Sequence, residues 1–169
     1  MKQLITRLDQ LLEYLIISIM AVLVIDVLWQ VASRFILGDP SSFTDELARF
    51  LLIWLSLFGG AYMLGKKMHL AIDLISHKLD ERKALRYDNF IQITILVFAI
   101  AVLLIGGSRL VFVTLFLNQT SAALGVPLGY VYMVLPLSGV IMCIYCIHFI
   151  LENLATSRSL NSNAQNSGE

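Results

Sequence analysis

The chain has 169 residues, 58% of them hydrophobic and only 14% charged, with a formal net charge of zero. A soluble domain of this size has more surface to cover with charge, so the composition excludes an ordinary cytosolic globule. The neutral balance also gives no electrostatic case for nucleic acid.

A helix that crosses a bilayer needs about 20 predominantly apolar residues. Segments near 11–33, 47–65, 90–113 and 127–151 meet that need. The predicted fold class is therefore an all-α integral membrane protein with four transmembrane helices. Residues 1–156 form one four-helix membrane domain, and the Ser- and Asn-rich stretch 157–169 is expected to be a flexible cytoplasmic tail.

The first span is preceded by Lys2 and Arg7, which imitates a signal peptide. Its apolar run is long, carries Asp26 and lacks a small-x-small cleavage site before Trp29, so it reads as an uncleaved anchor. Gly38-Asp39-Pro40-Ser41-Ser42 is a turn. Ser42-Phe43-Thr44-Asp45 then matches a capping box, which places acidic residues at the positive end of the second helix. That capping role is a structural use for Asp45, to be weighed against any functional one.

The second span ends at Gly65-Lys66-Lys67. From His69 to Leu79, Ala71, Ile72, Ile75 and Leu79 share one helical face and Asp73 and Ser76 lie largely on another. This segment is too short and polar to cross, and reads as an amphipathic interfacial helix between spans two and three. Lys66, Lys67, Lys78, Arg82 and Lys83 surround it and are candidates for contact with anionic lipid headgroups. Lys and Arg gather on the cytoplasmic side of a membrane. The basic link and both termini are therefore expected in the cytoplasm, with the other two links facing outward. Gly106-Gly107-Ser108-Arg109 is expected to interrupt the third span near its outer end, and Val126-Pro127-Leu128-Gly129 restarts the chain as the fourth.

Asp26 and Arg109 are intramembrane charges. Counted from the inner ends of their helices, they stand roughly 22 Å and 28 Å up, and would meet if spans one and three packed together. One carboxylate without a chain of partners makes a poor proton relay, so a structural role is favoured. Glu46 and Arg49 are spaced i,i+3 and can pair on one face. Trp54 reads as a packing residue, and Gly59-Gly60-Ala61 as a small-residue patch where another helix can approach. Cys143 and Cys146 form a C-x-x-C, but on the reducing side with no second pair, so buried thiols are favoured over a redox centre. His148 and Glu152, with His69 and His77, make a weak metal signal, and none is assigned.

Taken in order, these motifs resemble the small membrane subunit, the Q or DctQ-like subunit, of tripartite ATP-independent periplasmic (TRAP) transporters. The resemblance runs from Gln30…Arg34-Phe35 through Glu46-Leu47-Ala48-Arg49, Trp54, Gly59-Gly60-Ala61, Gly65, His69 and Asp73. It closes with Leu124-Gly125-Val126-Pro127-Leu128-Gly129, Tyr132 and Leu135-Pro136. It implies a non-catalytic, multi-pass protein of the bacterial inner membrane, without a cofactor of its own and in an unfused form. It implies two partners: a large multi-span subunit holding the substrate and sodium sites, and a periplasmic binding protein delivering an organic acid. Candidate organic acids are a C4-dicarboxylate, a sugar acid or sialic acid.

On that reading Arg34, Asp39, Asp45 and Glu46 are candidates for docking the binding protein. Asp26, Arg49, Trp54, Gly59, Gly60 and Arg109 are candidates for helix packing or contact with the large subunit. Two rivals stand beside it. A self-sufficient exporter of the small multidrug type would use Asp26 or Glu13. A membrane disulfide oxidoreductase would use Cys143 and Cys146. The absence of a broken helix of the kind that builds a midplane substrate site favours the accessory subunit.

Overall fold

A computed structural model describes residues 2–38, 41–66 and 81–166. Among them are four helical spans long and apolar enough to cross a membrane: Ile5–Ile36, Ser42–Gly65, Ala84–Phe116 and Leu128–Ser157. Each is longer at one or both ends than the apolar count alone marks, because helices continue past the hydrocarbon wherever backbone hydrogen bonding is unopposed. The interfacial helix expected over 69–79 lies outside the described residues, as do Asp39, Lys67, Lys78, His69 and His77.

Span one is α1 (Lys2–Ala32), continued by a wide π turn over Ser33–Leu37 and stopped at Gly38, whose φ of 70° is left-handed. Span two is α2 (Ser42–Gly65). Its cap is Ser41, one residue earlier than the capping box read from the sequence. The Ser41 hydroxyl accepts the Thr44 N–H at 3.5 Å, and Thr44 Oγ1 donates to the Ser41 carbonyl at 3.0 Å.

Span three begins as α3 (Glu81–Phe98), passes through a π-helical stretch (Ala99–Gly106) and ends as α4 (Gly107–Phe116). The glycine pair expected to interrupt this span does not break it. The irregularity is the π stretch that precedes Gly107, and Gly107 itself serves close packing. Span four starts as the short α5 (Leu128–Tyr132) after Pro127 and continues as α6 (Val134–Asn166). The interruption at Met133 falls three residues before Pro136, which has no N–H to return to the turn below it. The backbone stays helical to Asn166, beyond the point where the sequence reading begins a tail.

The spans pack in the order one, two, four, three, with one and three at the edges. The core is Leu12 of span one, Phe58 and Leu64 of span two, and Val134, Tyr145, Cys146 and Phe149 of span four. Spans three and four cross closely because two glycines lie between them. A β-carbon on Gly107 would lie 2.8 Å from Leu135 Cβ, and one on Gly139 would lie 2.9 Å from Leu103 Cβ. Apolar side chains outside this core point outward in numbers that water would not tolerate: Ile25, Leu28, Phe112 and Phe116 are each more than 60% exposed. Such a surface belongs in lipid or against another membrane protein.

Candidate functional site

Polar side chains gather at the two ends of the bundle, and at each end they tie spans together. At the end bearing the N-terminus, Asp9 of span one is the hub. Its Oδ1 accepts the Tyr145 hydroxyl at 2.5 Å, and its Oδ2 accepts Lys66 Nζ at 2.9 Å. One carboxylate thus joins spans one, two and four. Lys66 also lies over the Tyr62 ring, 5.3 Å from its centroid. The hydrogen bond to Asp9 raises the Lys66 pKa above the ordinary lysine value of 10.5. Lys66, a candidate for lipid contact in the sequence, is therefore engaged first within the bundle. At the same end, the buried Asn153 amide of span four donates to Asp88 Oδ2 at 2.6 Å and Asn89 Oδ1 at 3.1 Å of span three.

The opposite end holds the residues nominated for docking. Gln30 Nε2 donates to Asp45 Oδ1 at 3.1 Å, which ties the top of span one to the start of span two. Arg49 pairs with Asp45, one turn before it on the helix, and not with Glu46 as the i,i+3 spacing suggests. Glu46 instead reaches across to the link between spans three and four. Its Oε2 accepts the Ala123 N–H at 2.7 Å and the Leu124 N–H at 3.3 Å. That link is itself folded. Asn118 and Gly125 take left-handed conformations, Ser121 N–H donates to the Val126 carbonyl at 2.9 Å, and Leu128 N–H donates to the Gln119 carbonyl at 2.9 Å. Glu46 closes the array from outside.

Arg34 stands exposed on the π turn of span one. With Gln30, Val31, Phe35, Ser41, Ser42 and Asp45 it lines an open cleft of about 590 Å³. The structure thus brings Arg34 and Asp45 to one cleft and assigns Glu46 to a clamp beside it.

Trp54 does more than pack. Its Nε1 donates at 2.9 Å to the Val131 carbonyl, in the interrupted first turn of span four. Its ring meets Phe58 edge-on, with centroids 5.8 Å apart. A β-carbon on Gly60 would lie 3.5 Å from Met142 Cε of span four, whereas one on Gly59 would meet open space. Asp26 and Arg109 do not meet. Asp26 is buried on span one with Oδ2 unpartnered, and Arg109 is exposed on span three, at the far edge of the bundle. Spans one and three are separated by the other two, which is why the pairing considered from helix heights fails.

The residues that sequence reasoning misses are Asp9, Tyr145, Asp88 and Asn153. Each looks ordinary in the sequence, a polar residue on a helix that is otherwise apolar or near its end. Only the packing order of the spans turns them into ties.

Cys143 and Cys146 are free thiols one helical turn apart, the second fully buried. Among the described residues no group of three or more His, Cys, Asp or Glu side chains could hold a metal ion.

Four apolar helices joined by polar ties at both ends define a multi-pass helical membrane protein. The family model for the DctQ component of tripartite ATP-independent periplasmic transporters matches residues 11–156. The chain is also 31% identical over 128 residues to the sialic acid TRAP transporter small permease protein SiaQ of Vibrio cholerae, covering 72% of this chain and 74% of that one. It is 26% identical over 156 residues to a protein of Haemophilus influenzae named as a TRAP transporter small permease protein, covering 91% and 94% of the two chains. The chain belongs to the DctQ family: it is the accessory small permease subunit of a TRAP transporter, a membrane component that catalyses no reaction.

Proposed function

We propose that this chain is the fixed scaffold of a sodium-coupled TRAP importer of an organic acid. It works with a large multi-span subunit, in which substrate and sodium are bound, and with a periplasmic binding protein. The likeness to a sialic acid transporter subunit makes sialic acid the first substrate to try, with C4-dicarboxylates and sugar acids next.

The observation that carries the scaffold reading is the set of ties between spans. Asp9, Asn153, Trp54 and Glu46 join different pairs of spans at both ends and in between. A unit tied in this way moves as one body, which suits the static side of a transporter whose other part travels.

The lysines and arginines at the N-terminal end favour placing that end, and both termini, in the cytoplasm. The cleft containing Arg34 and Asp45 would face the periplasm, where its charges steer encounter with the binding protein. Asp39, outside the described residues, is a further candidate for docking, while Glu46 supports that surface indirectly by holding the neighbouring link in shape. Co-expression with the large subunit, followed by purification through a tag on this chain, tests the scaffold reading. A stable one-to-one complex is expected, and a chain that purifies alone and transports unaided overturns it.

A further inference from the structure

We infer that the outward stripe Arg109, Phe112 and Phe116 on α4 is where a transmembrane helix of the large subunit docks, and that this helix presents an aspartate or glutamate to Arg109. The inference rests on the scaffold reading and adds the face and the chemistry of the contact.

Span three turns Ala99, Leu103, Gly107 and Thr114 inward, toward the rest of the bundle. Within the α-helical part, at about 100° per residue, Arg109, Phe112 and Phe116 fall on the face opposite Gly107 and Thr114. Phe112 and Phe116 are 68% and 74% exposed and stack on each other, with centroids 6.1 Å apart and planes within 14°. Arg109 is exposed beside them and forms no ion pair or hydrogen bond among the described residues.

Its position makes that exposure informative. From Ile93 to Leu117 the sequence is apolar apart from Thr and Ser, and Arg109 is its only charge. The nearer end of that run is about 12 Å away along the helix. An arginine at that depth is costly against hydrocarbon and is ordinarily paired. Among the described residues the buried carboxylate, Asp26, is at the opposite edge of the bundle, and Arg109 points away from it. With no partner among the described residues, the inferred partner is a group on the large subunit, and span three, as an edge helix, is open to receive it. An arginine flanked by two large aromatic rings is also the side-chain combination that concentrates binding energy at interfaces. Complementary charge favours a carboxylate-bearing helix. The alternative source of negative charge is a lipid phosphate.

A photo-crosslinking benzoyl-phenylalanine placed at Phe112, at Phe116 and, as a control, at Leu28 of span one separates these cases. All three chains keep Arg109 and are co-expressed with the large subunit. Adducts to the large subunit from positions 112 and 116, but not from 28, are expected. Arg109→Gln should lower the amount of large subunit recovered with this chain at least five-fold, while Arg109→Lys should recover most of it. Adducts to lipid alone from 112 and 116, in a complex that still assembles, would assign Arg109 to lipid and overturn the docking inference while leaving the scaffold reading intact. Failure of the unsubstituted chain to bind the large subunit at all would overturn both.

Discussion

Tyr145 lies against the bare α-carbon of Gly65: a β-carbon there would come within 2.6 Å of the ring. This contact lets the ring reach past the end of span two and donate its hydroxyl to Asp9. Gly65→Ala should push the ring away, with an overpacking cost of about 1–3 kcal/mol. Tyr145→Phe should cost about 1.5–3 kcal/mol, the range for a hydrogen bond to a charged group. Unfolding midpoints in detergent measure both. If the Asp9 tie is the reason for the contact, Gly65→Ala combined with Tyr145→Phe should cost less than the sum of the two.

Glu46 provides a second test of the ties. Glu46→Ala should release the Ala123 amide, whose hydrogen exchange should speed up, while Leu124 keeps the Ser121 hydroxyl as acceptor at 3.2 Å and the buried middle of span four stays slow. Glu46→Gln should retain part of the protection, because the amide oxygen still accepts. Unchanged exchange in Glu46→Ala would mean that the link holds its shape by its own turns alone.

Trp54→Phe keeps an aromatic ring and removes the Nε1 donor. The expected cost is about 0.5–1.5 kcal/mol, the usual net value of one hydrogen bond. A loss far above that range would show that packing of the larger ring, more than the bond to Val131, holds span two to span four.

The spans and the family are legible in the sequence because hydrophobic length and motif order are one-dimensional signals. Arg34, Asp45 and Glu46 stand close to one turn in the sequence, so their gathering at one end of the bundle is legible too. Their partners are not. Spacing offers Glu46 to Arg49, but the folded link between spans three and four supplies two backbone amides to Glu46 and leaves Arg49 to Asp45. Asp26 and Arg109 stand at comparable heights, yet height says nothing about which spans are neighbours. Asp9 and Asn153 are hidden for the same reason: their roles depend on the order one, two, four, three, which no local pattern encodes.

Arg34→Glu should slow uptake by the complete transporter and leave the complex between the two membrane subunits assembled. The slowing should shrink as ionic strength rises, since rim charges act mainly on encounter. Unaltered uptake at low salt would place the docking surface away from this cleft.

The most direct test of the scaffold account is uptake in proteoliposomes containing this chain alone, the large subunit alone, or both, each with the binding protein and a sodium gradient. Uptake of an organic acid is predicted only when both membrane subunits are present. Sodium-driven uptake by this chain alone would contradict it.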